Sequence, residues 1–193
     1  NPFKLLNDDN DDNTDADDVT RKISEVLESC DSYSVKGINH TFAHELQMQN
    51  SLIFQNLDGN KSNFDSLAIE IARFTNKFSV IGLAETNVGP ELKNLYELTG
   101  YESFYQDTFD SKVKGSGVAL YVLNSFNAVK NNNLSQVTEN LETLFVTIGS
   151  LGNSTSIGVI YRPPSGNAEQ ALQELSSILD KAPKHTHIAG DFN

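Results

Sequence analysis

The sequence predicts an α/β protein in which short strands and a few helices pack in layers. From Ser51 onward, short runs rich in β-branched and aromatic residues recur, and Gly, Asn and Ser turns separate them. Segments with apolar residues at helical spacing lie between some of these runs. The chain has 193 residues, 38% of them hydrophobic, which is enough for one domain with a core, plus extensions.

Composition and charge narrow the classes of function. The chain has 14 Lys and Arg against 26 Asp and Glu, a net charge of −12, which argues against a basic nucleic-acid coat or a polybasic membrane peptide. An enzyme that meets phosphate through metal ions is compatible with this charge. The single cysteine, Cys30, excludes an internal disulfide framework and indicates a reducing compartment. Because no apolar run is as long as a bilayer is thick and no signal peptide is visible, we expect an intracellular chain, neither secreted nor bound to membranes.

The first fifty residues are expected to stand apart from the domain. Residues 1–18 are rich in Asp and Asn and predict an acidic, disordered tail. This run does not match a calcium-binding loop, because the required Gly and Glu are missing. Residues 19–50 predict a short amphipathic helix and a linker. His40 and His44 in this segment lack further metal ligands nearby, so we interpret them as surface residues.

Residues 51–193 are predicted to form the domain, with strands and helices in alternation. Strands are predicted at 51–56, 78–84, 101–106, 118–123, 144–148, 156–161 and 187–191. A first helix follows the first strand, and a second runs from Pro90 to Leu98, where Gly100 stops it. A third helix is predicted at 168–180. Its inward face is predicted to hold Leu172, Leu175, Ile178 and Leu179.

Polar side chains stand at the ends of four predicted strands. They are Asn56 and Asp58 after the first strand, Glu85 after the second, Tyr161 and Arg162 after the sixth, and Asp191 and Asn193 at the last. Catalytic groups of sheet enzymes gather at such ends, because the sheet fixes the backbone while the loops leave side chains exposed. A single acid after a strand is more often a turn or helix cap, but four such ends in order favour a site.

Five motifs resemble those of the endonuclease/exonuclease/phosphatase superfamily. They are Gln55-Asn-Leu-Asp-Gly59, Gly82-Leu-Ala-Glu-Thr86, Gly115-Ser-Gly-Val-Ala-Leu-Tyr-Val122, Gly158-Val-Ile-Tyr-Arg-Pro-Pro164 and Ala189-Gly-Asp-Phe-Asn193. Within the superfamily, the fourth and fifth motifs are most similar to the apurinic-type endonuclease domain of non-LTR retrotransposons. The resemblance implies a two-layer β-sandwich flanked by helices, with residues 51–193 as its N-terminal part and the second half incomplete.

The resemblance also implies a metal-dependent phosphodiesterase that cleaves DNA. Glu85 matches the glutamate that holds the divalent cation, and Asp58 matches an acid that helps to bind it. Mg²⁺ is the expected ion, and Mn²⁺ is an alternative, since both prefer oxygen ligands. Asn56 matches the amide that orients this centre.

The remaining carried-over residues act on the phosphate and on water. Tyr161 matches the phenol that contacts the scissile phosphate, and the neighbouring Arg162 can supply a fixed cation. Asp191 matches the carboxylate that orients or deprotonates the attacking water, and Asn193 matches an amide that donates to phosphate. In-line hydrolysis is the implied mechanism.

One departure from the family pattern concerns the catalytic histidine. In the family this residue lies in a Ser-Asp-His motif downstream of Gly-Asp-Phe-Asn, whereas this chain ends at Asn193. His185 and His187 do not replace it by position, and we interpret them as surface or packing residues. We therefore expect the chain as given to be inactive or nearly so.

The same departure predicts exposed apolar surface. If the second half of the sandwich is missing, strand edges and apolar faces are expected to be uncovered and to favour aggregation. The residues concerned are Val118, Leu120, Phe145, Val159 and Ile160.

Two alternatives to a DNA endonuclease stay open. One is an inositol or lipid phosphatase of the same superfamily, which would use similar groups at its strand ends. The other is a non-enzymatic remnant or a binding module. The Tyr161-Arg-Pro-Pro164 form favours the retrotransposon interpretation, under which DNA is the substrate, the location is nuclear, and a reverse transcriptase is fused or nearby.

Overall fold

The computed structural model of the chain describes Gly37 and residues 51–106, 116–150 and 153–192. The predicted tail at residues 1–18 and the site residue Asn193 lie outside the described residues. The predicted helix and linker at residues 19–50 lie outside them too, apart from Gly37.

Nine strands form two sheets within the described residues. The first sheet has the order β1-β2-β4-β3 and consists of β1 (Leu52–Asn56), β2 (Val80–Ala84), β3 (Tyr101–Gln106) and β4 (Val118–Leu123). The second has the order β5-β7-β8-β9 and consists of β5 (Ala128–Lys130), β7 (Glu142–Ser150), β8 (Asn153–Tyr161) and β9 (Thr186–Asp191), with β6 (Gln136–Val137) also paired to β7. Each sheet has one parallel pair, β1 with β2 and β8 with β9, and the other pairs are antiparallel.

The two sheets pack face to face over an apolar core. Alternate residues of each strand point to opposite faces, so one face of β2 and β4 meets one face of β7 and β8. The buried residues of this layer are Val80, Ala84, Val118, Leu120, Val122, Leu144, Val146, Ile148, Ile157, Val159 and Tyr161. Gly82 lies on the same face, and a Cβ there would come within 2.5 Å of Val159 Cγ2. A glycine at this position therefore allows the sheets to approach.

A helix covers the outer face of each sheet. α1 (Lys61–Ala72) places Phe64 and Leu67 on the face of the first sheet that carries Ile81 and Leu83. α2 (Ala168–Leu179) places Ala171 and Ile178 on the face of the second sheet that carries Phe145 and Ile160. The predicted two-layer β-sandwich flanked by helices is thus confirmed.

The inward face predicted for α2 was wrong in part. Leu172 is 67% exposed and Leu179 is 39% exposed, whereas the small Ala171 is buried. Ala171, Leu175 and Ile178 recur at a spacing of four and then three residues, and this stripe contacts the sheet. Leu172 and Leu179 each lie one residue further along and are turned toward solvent.

Several element bounds also differ from the prediction. The segment from Pro90 is a 3₁₀ helix that ends at Leu95, earlier than the predicted helix. β7 and β8 are nine residues each, longer than predicted, because they continue to pair beyond their apolar centres. The short strands β5 and β6 were not predicted, since neither has an alternating apolar pattern and Val129 of β5 is 67% exposed.

The expectation of uncovered apolar faces was wrong. Val118, Leu120, Phe145, Val159 and Ile160 have no exposed surface. The first two and Val159 face the opposite sheet, and the other two lie beneath α2. Both faces of the central strands are thus covered by elements within the described residues.

The described helices do not include a membrane-spanning segment. None of them is long and apolar enough to cross a bilayer.

Candidate active site

The candidate site lies at one end of the space between the sheets. Asn56 ends β1 and continues the alternation of Leu52 and Phe54, which pack against the core between the sheets. Tyr161 ends β8 and is part of that core, and Asp191 ends β9 directly beside Tyr161 in the parallel ladder. Because both parallel pairs end here, the carboxyl ends of four strands bring their side chains together.

The Asn56 amide joins the two sheets. Its Nδ2 donates to Glu85 Oε1 at 2.8 Å and to Asp191 Oδ2 at 2.7 Å. Its Oδ1 accepts the backbone N–H of Asp58 at 2.8 Å, which fixes the orientation of the amide. Two carboxylates from different sheets are therefore held side by side by one neutral donor.

Glu85 reaches this group because the backbone leaves the strand conformation. Alternation would place Glu85 on the face of Ile81 and Leu83, beneath α1. Its φ of 49° is left-handed, a region that non-glycine residues seldom occupy and that tends to occur at functional sites. This change of direction turns the carboxylate toward Asn56. The Glu85 carbonyl accepts from Gly59 N at 2.8 Å, which ties the turn after β2 to the turn after β1.

Tyr161 is the buried phenol of the group. It is 1% exposed, and its hydroxyl donates a hydrogen bond to Glu85. Burial, followed by the negative charge of Glu85 and this hydrogen bond, raises the pKa of Tyr161 well above its usual value. The phenol is therefore protonated at neutral pH and acts as a hydrogen-bond donor.

Glu142 is a further acid at this end of the core, and the sequence analysis did not identify it. It begins β7, lies opposite Tyr161 in the β7–β8 ladder and is 2% exposed. Its Oε2 accepts the backbone N–H of Gly117 at 2.6 Å. Burial raises the pKa of Glu142 to about 7, the Gly117 hydrogen bond lowers it, and the charge of Glu85 raises it. A signal was present in the sequence, since Glu142 shares the alternation of Leu144 and Val146.

The Arg162 guanidinium donates to backbone carbonyls. Its Nε donates to the Phe192 carbonyl at 2.7 Å, and its Nη1 donates to the Gly166 and Pro163 carbonyls at 3.1 and 3.4 Å. Its backbone N–H donates to the Asp191 carbonyl at 2.9 Å, which extends the ladder. The guanidinium thus fastens the segments that follow β8 and β9 to each other.

Asp58 and the two histidines near β9 lie at the surface, although the Asp58 backbone N–H bonds Asn56 Oδ1. Asp58 is exposed, with a left-handed φ of 50°. Among the described residues, no group of three or more His, Cys, Asp or Glu side chains is arranged to share a cation, so Asp58 does not form one with Glu85 and Asp191. His185 and His187 are exposed, before and within β9, as interpreted from the sequence.

Solved structures share the fold of this chain. The endonuclease domain of TRAS1, a telomere-specific non-LTR retrotransposon, matches with a TM-score of 0.55 and 19% identity over 74% of this chain and 58% of that domain. D. rerio TDP2 complexed with a single-strand DNA product matches with a TM-score of 0.51 and 19% identity over 74% of this chain and 60% of TDP2. Truncated Caenorhabditis elegans TDP2 matches with a TM-score of 0.50 and 13% identity over 76% and 63%.

These similarities establish the fold. The sandwich has the fold of the TRAS1 endonuclease domain and of TDP2, and the chain spans about three fifths of the length of the structures it matches. No family model matches the sequence. No curated protein matches it either.

Proposed function

We propose that the chain carries part of the active site of a metal-dependent phosphodiesterase that cleaves DNA, of the retrotransposon endonuclease type. The observation that carries the proposal is the Asn56 amide, which holds Glu85 of one sheet and Asp191 of the other at 2.8 and 2.7 Å. Two carboxylates fixed beside each other at the end of a buried core make a strongly negative site. A divalent cation relieves this repulsion.

The available donors fit Mg²⁺ or Mn²⁺. Glu85, Asp191 and Asn56 offer oxygen atoms and no sulfur, as hard cations prefer. Mg²⁺ is commonly held by one or two carboxylates together with water and substrate phosphate, so a cluster of three acids is not required. Glu85 would be the main ligand, with Asp58 able to approach from its exposed turn. When bound, the cation supplies positive charge that stabilises the phosphoryl oxygens.

The other residues position groups and move protons. Asn56 holds the two carboxylates in register. Asp191 accepts a proton from the attacking water, as a general base must. Tyr161, protonated because of its raised pKa, donates its one hydrogen bond to Glu85 in the absence of substrate and contacts the phosphate when DNA is bound. Asn193 donates to the phosphate in the same proposal.

DNA is the proposed substrate for two reasons. The Tyr161-Arg-Pro-Pro164 and Gly190-Asp-Phe-Asn193 motifs resemble those of retrotransposon endonucleases. Of the structural matches, one is the endonuclease domain of a telomere-specific non-LTR retrotransposon, and another, D. rerio TDP2, is complexed with a single-strand DNA product. A nuclear location and a neighbouring reverse transcriptase belong to the same proposal.

The cation is tested by titrating Mn²⁺ into the metal-free chain and counting tight sites by electron paramagnetic resonance. We expect one tight site, which Glu85→Gln weakens at least tenfold. Glu102→Gln is the matched control, because Glu102 is an exposed carboxylate on β3 of the same sheet. Equal affinity in all three proteins would contradict the proposed metal site.

The reaction is tested with supercoiled plasmid, with inositol phosphates as the competing substrate. Nicking that Glu85→Gln abolishes would support the DNA endonuclease and would refute the sequence-based prediction that these 193 residues have no turnover. Phosphate release from inositol phosphates without nicking would favour the phosphatase. Mn²⁺ binding with neither reaction would agree with the sequence-based prediction that these 193 residues bind the cation without turnover.

A further inference from the structure

Glu142 is a buried acid whose side chain accepts a hydrogen bond that crosses from the second sheet to the first. It is 2% exposed at the start of β7, and its Oε2 accepts from Gly117 N, just before β4, at 2.6 Å. Gly117 is buried and has a left-handed φ of 90°, a conformation that glycine adopts without strain. The carboxylate therefore fixes a segment that does not belong to its own sheet.

The segment that Glu142 holds is the one that supports Glu85. Thr86 N donates to the Gly117 carbonyl at 3.0 Å, and Asn87 N donates to the Ser116 carbonyl at 2.9 Å. These bonds fasten the two residues that follow Glu85, whose own φ is left-handed. A continuous path of contacts thus runs from the Glu142 carboxylate through Gly117 and Thr86 to the Glu85 turn.

The charge of Glu142 is not explained by stability. Among the described residues, no Lys or Arg forms an ion pair with it, and burial makes its ionised form unfavourable. A Leu of similar size would fill the same space between the sheets without that cost. What a Leu lacks is the acceptor for Gly117 N.

We propose that Glu142 is a positioning residue for the Glu85 cation site, acting through Gly117 and Thr86. This inference rests on the proposed function. The oxygen of Glu142, rather than its charge, is the essential feature, because it holds the turn that aims Glu85 at Asn56. Groups that support a metal ligand from outside its coordination shell commonly change metal affinity 10- to 100-fold when they are replaced, and Glu142 supports Glu85 through the backbone of Gly117 and Thr86.

The test compares Glu142→Gln with Glu142→Leu by Mn²⁺ titration of the metal-free chain. Glu142→Gln keeps an oxygen acceptor for Gly117 N, and we expect its affinity to stay within about threefold of the unmutated chain. Glu142→Leu removes the acceptor, and we expect affinity to fall at least tenfold. Equal weakening in both variants would show that the charge acts on the cation directly and would overturn the positioning role. Unchanged affinity in both would overturn it too.

Thr143→Val is the matched control for general damage to β7. Thr143 is the next residue along the strand, has no exposed surface, and donates through Oγ1 to the Leu134 carbonyl at 2.8 Å on the face away from the site. We expect this variant to lose stability and to keep its affinity for Mn²⁺. A loss of affinity equal to that of Glu142→Leu would mean that any weakening of β7 suffices, and would overturn the proposal.

Amide hydrogen exchange of the unmutated, metal-free chain gives a second test that needs no variant to fold. The Gly117 and Thr86 amides are expected to exchange slowly before any cation is added, because both are hydrogen-bonded in the path. Fast exchange at both amides would overturn the inference whatever the variants do. If the unmutated chain binds no Mn²⁺, the proposed function falls and the positioning role falls with it, whereas Mn²⁺ binding together with fast exchange at these amides overturns the positioning role alone.

Discussion

The two sheets contribute to the site in different ways. The first sheet supplies Glu85 from an irregular segment, where three non-glycine residues, Asp58, Glu85 and Asn87, have φ values of 50°, 49° and 52°. The second sheet supplies Tyr161 and Asp191 from within regular strands, paired with each other in the parallel β8–β9 ladder. One half of the site is therefore shaped by turns and the other by strand register.

This difference predicts where each half is sensitive. A residue in a regular strand cannot move without the neighbours that it pairs with. In the second half, stability should therefore depend on close packing. A residue in a left-handed turn is strained by its own backbone conformation. In the first half, stability should therefore depend on whether the residue type tolerates that conformation. The following predictions test this contrast.

The largest contrast is expected between two glycine-to-alanine substitutions. In Gly190→Ala the new Cβ would lie 2.3 Å from the Ile160 carbonyl oxygen, so β9 must move away from β8. We expect a loss of about 3 kcal/mol in the free energy of unfolding. In Gly59→Ala the nearest atom is Asn87 Nδ2 at 3.2 Å, on an exposed side chain that can move. Only the strain of its φ of 60° opposes this change, at about 1 kcal/mol. Urea unfolding measures the free energy of unfolding of both variants. Equal losses would contradict the proposed difference between the two halves of the site.

The next effect is a pH dependence that depends on Glu142. Its pKa is raised from 4.5 to about 7 in the folded chain, so between those values the unfolded chain releases a proton that the folded chain keeps. The raised pKa of Glu142 stabilises the folded chain at low pH. This contribution to the free energy of unfolding, up to about 3 kcal/mol, is lost as the pH rises through this window. Glu142→Gln removes this pH dependence, because a glutamine side chain does not titrate.

The measurement is the difference in unfolding free energy between Glu142→Gln and the unmutated chain, with metal chelated, from pH 4 to 8. We expect the variant to gain in relative stability as the pH rises. A difference that stays constant across the window would show that Glu142 titrates normally, and that the end of the core is wetter than its burial implies.

The smallest effects are expected for two substitutions by glycine, which should change the free energy of unfolding in opposite directions. Asp58→Gly relieves a left-handed residue in an exposed turn of the first half, and we expect a gain of about 0.5 to 1 kcal/mol. His187→Gly places glycine in the exposed but regular strand β9, and we expect a loss of about 1 kcal/mol. Thermal unfolding at one pH measures both. The same sign in the two variants would argue that the halves do not differ in backbone strain.

The regular half was the part that sequence could predict. Runs of β-branched and aromatic residues at 118–123 and 156–161 located the core strands, and the polar ends of the strands pointed to Tyr161 and Asp191. Glu142 was overlooked because the predicted strand began at residue 144. The alternation of Leu144 and Val146, extended back by two residues, places Glu142 between the sheets. In α2 the small Ala171 contacts the sheet, whereas the apolar pattern pointed to its larger neighbour Leu172, which is exposed.

The irregular half was less predictable for a physical reason. Glu85 has a left-handed backbone without being glycine, Asn or Asp, so its residue type does not mark the turn. The alternation of β2 alone would have aimed Glu85 beneath α1. Only the hydrogen bonds to Gly59, Gly117 and Ser116, all distant from β2 in the sequence, explain why the segment after β2 turns toward the second sheet.

The most direct test of the central claim is a double-mutant cycle on Mn²⁺ affinity, with Asn56→Ala, Asp191→Ala and the two combined. If the Asn56 amide joins the sheets into one cation site, each single substitution weakens binding at least tenfold, and the double variant is about as weak as the weaker single one. Asn63→Ala is the control, since the Asn63 amide donates to the nearby Leu57 carbonyl at 2.9 Å and, within the described residues, bonds neither Glu85 nor Asp191. Losses that multiply in the double variant, or single variants that bind Mn²⁺ as the unmutated chain does, would contradict a site assembled from both sheets.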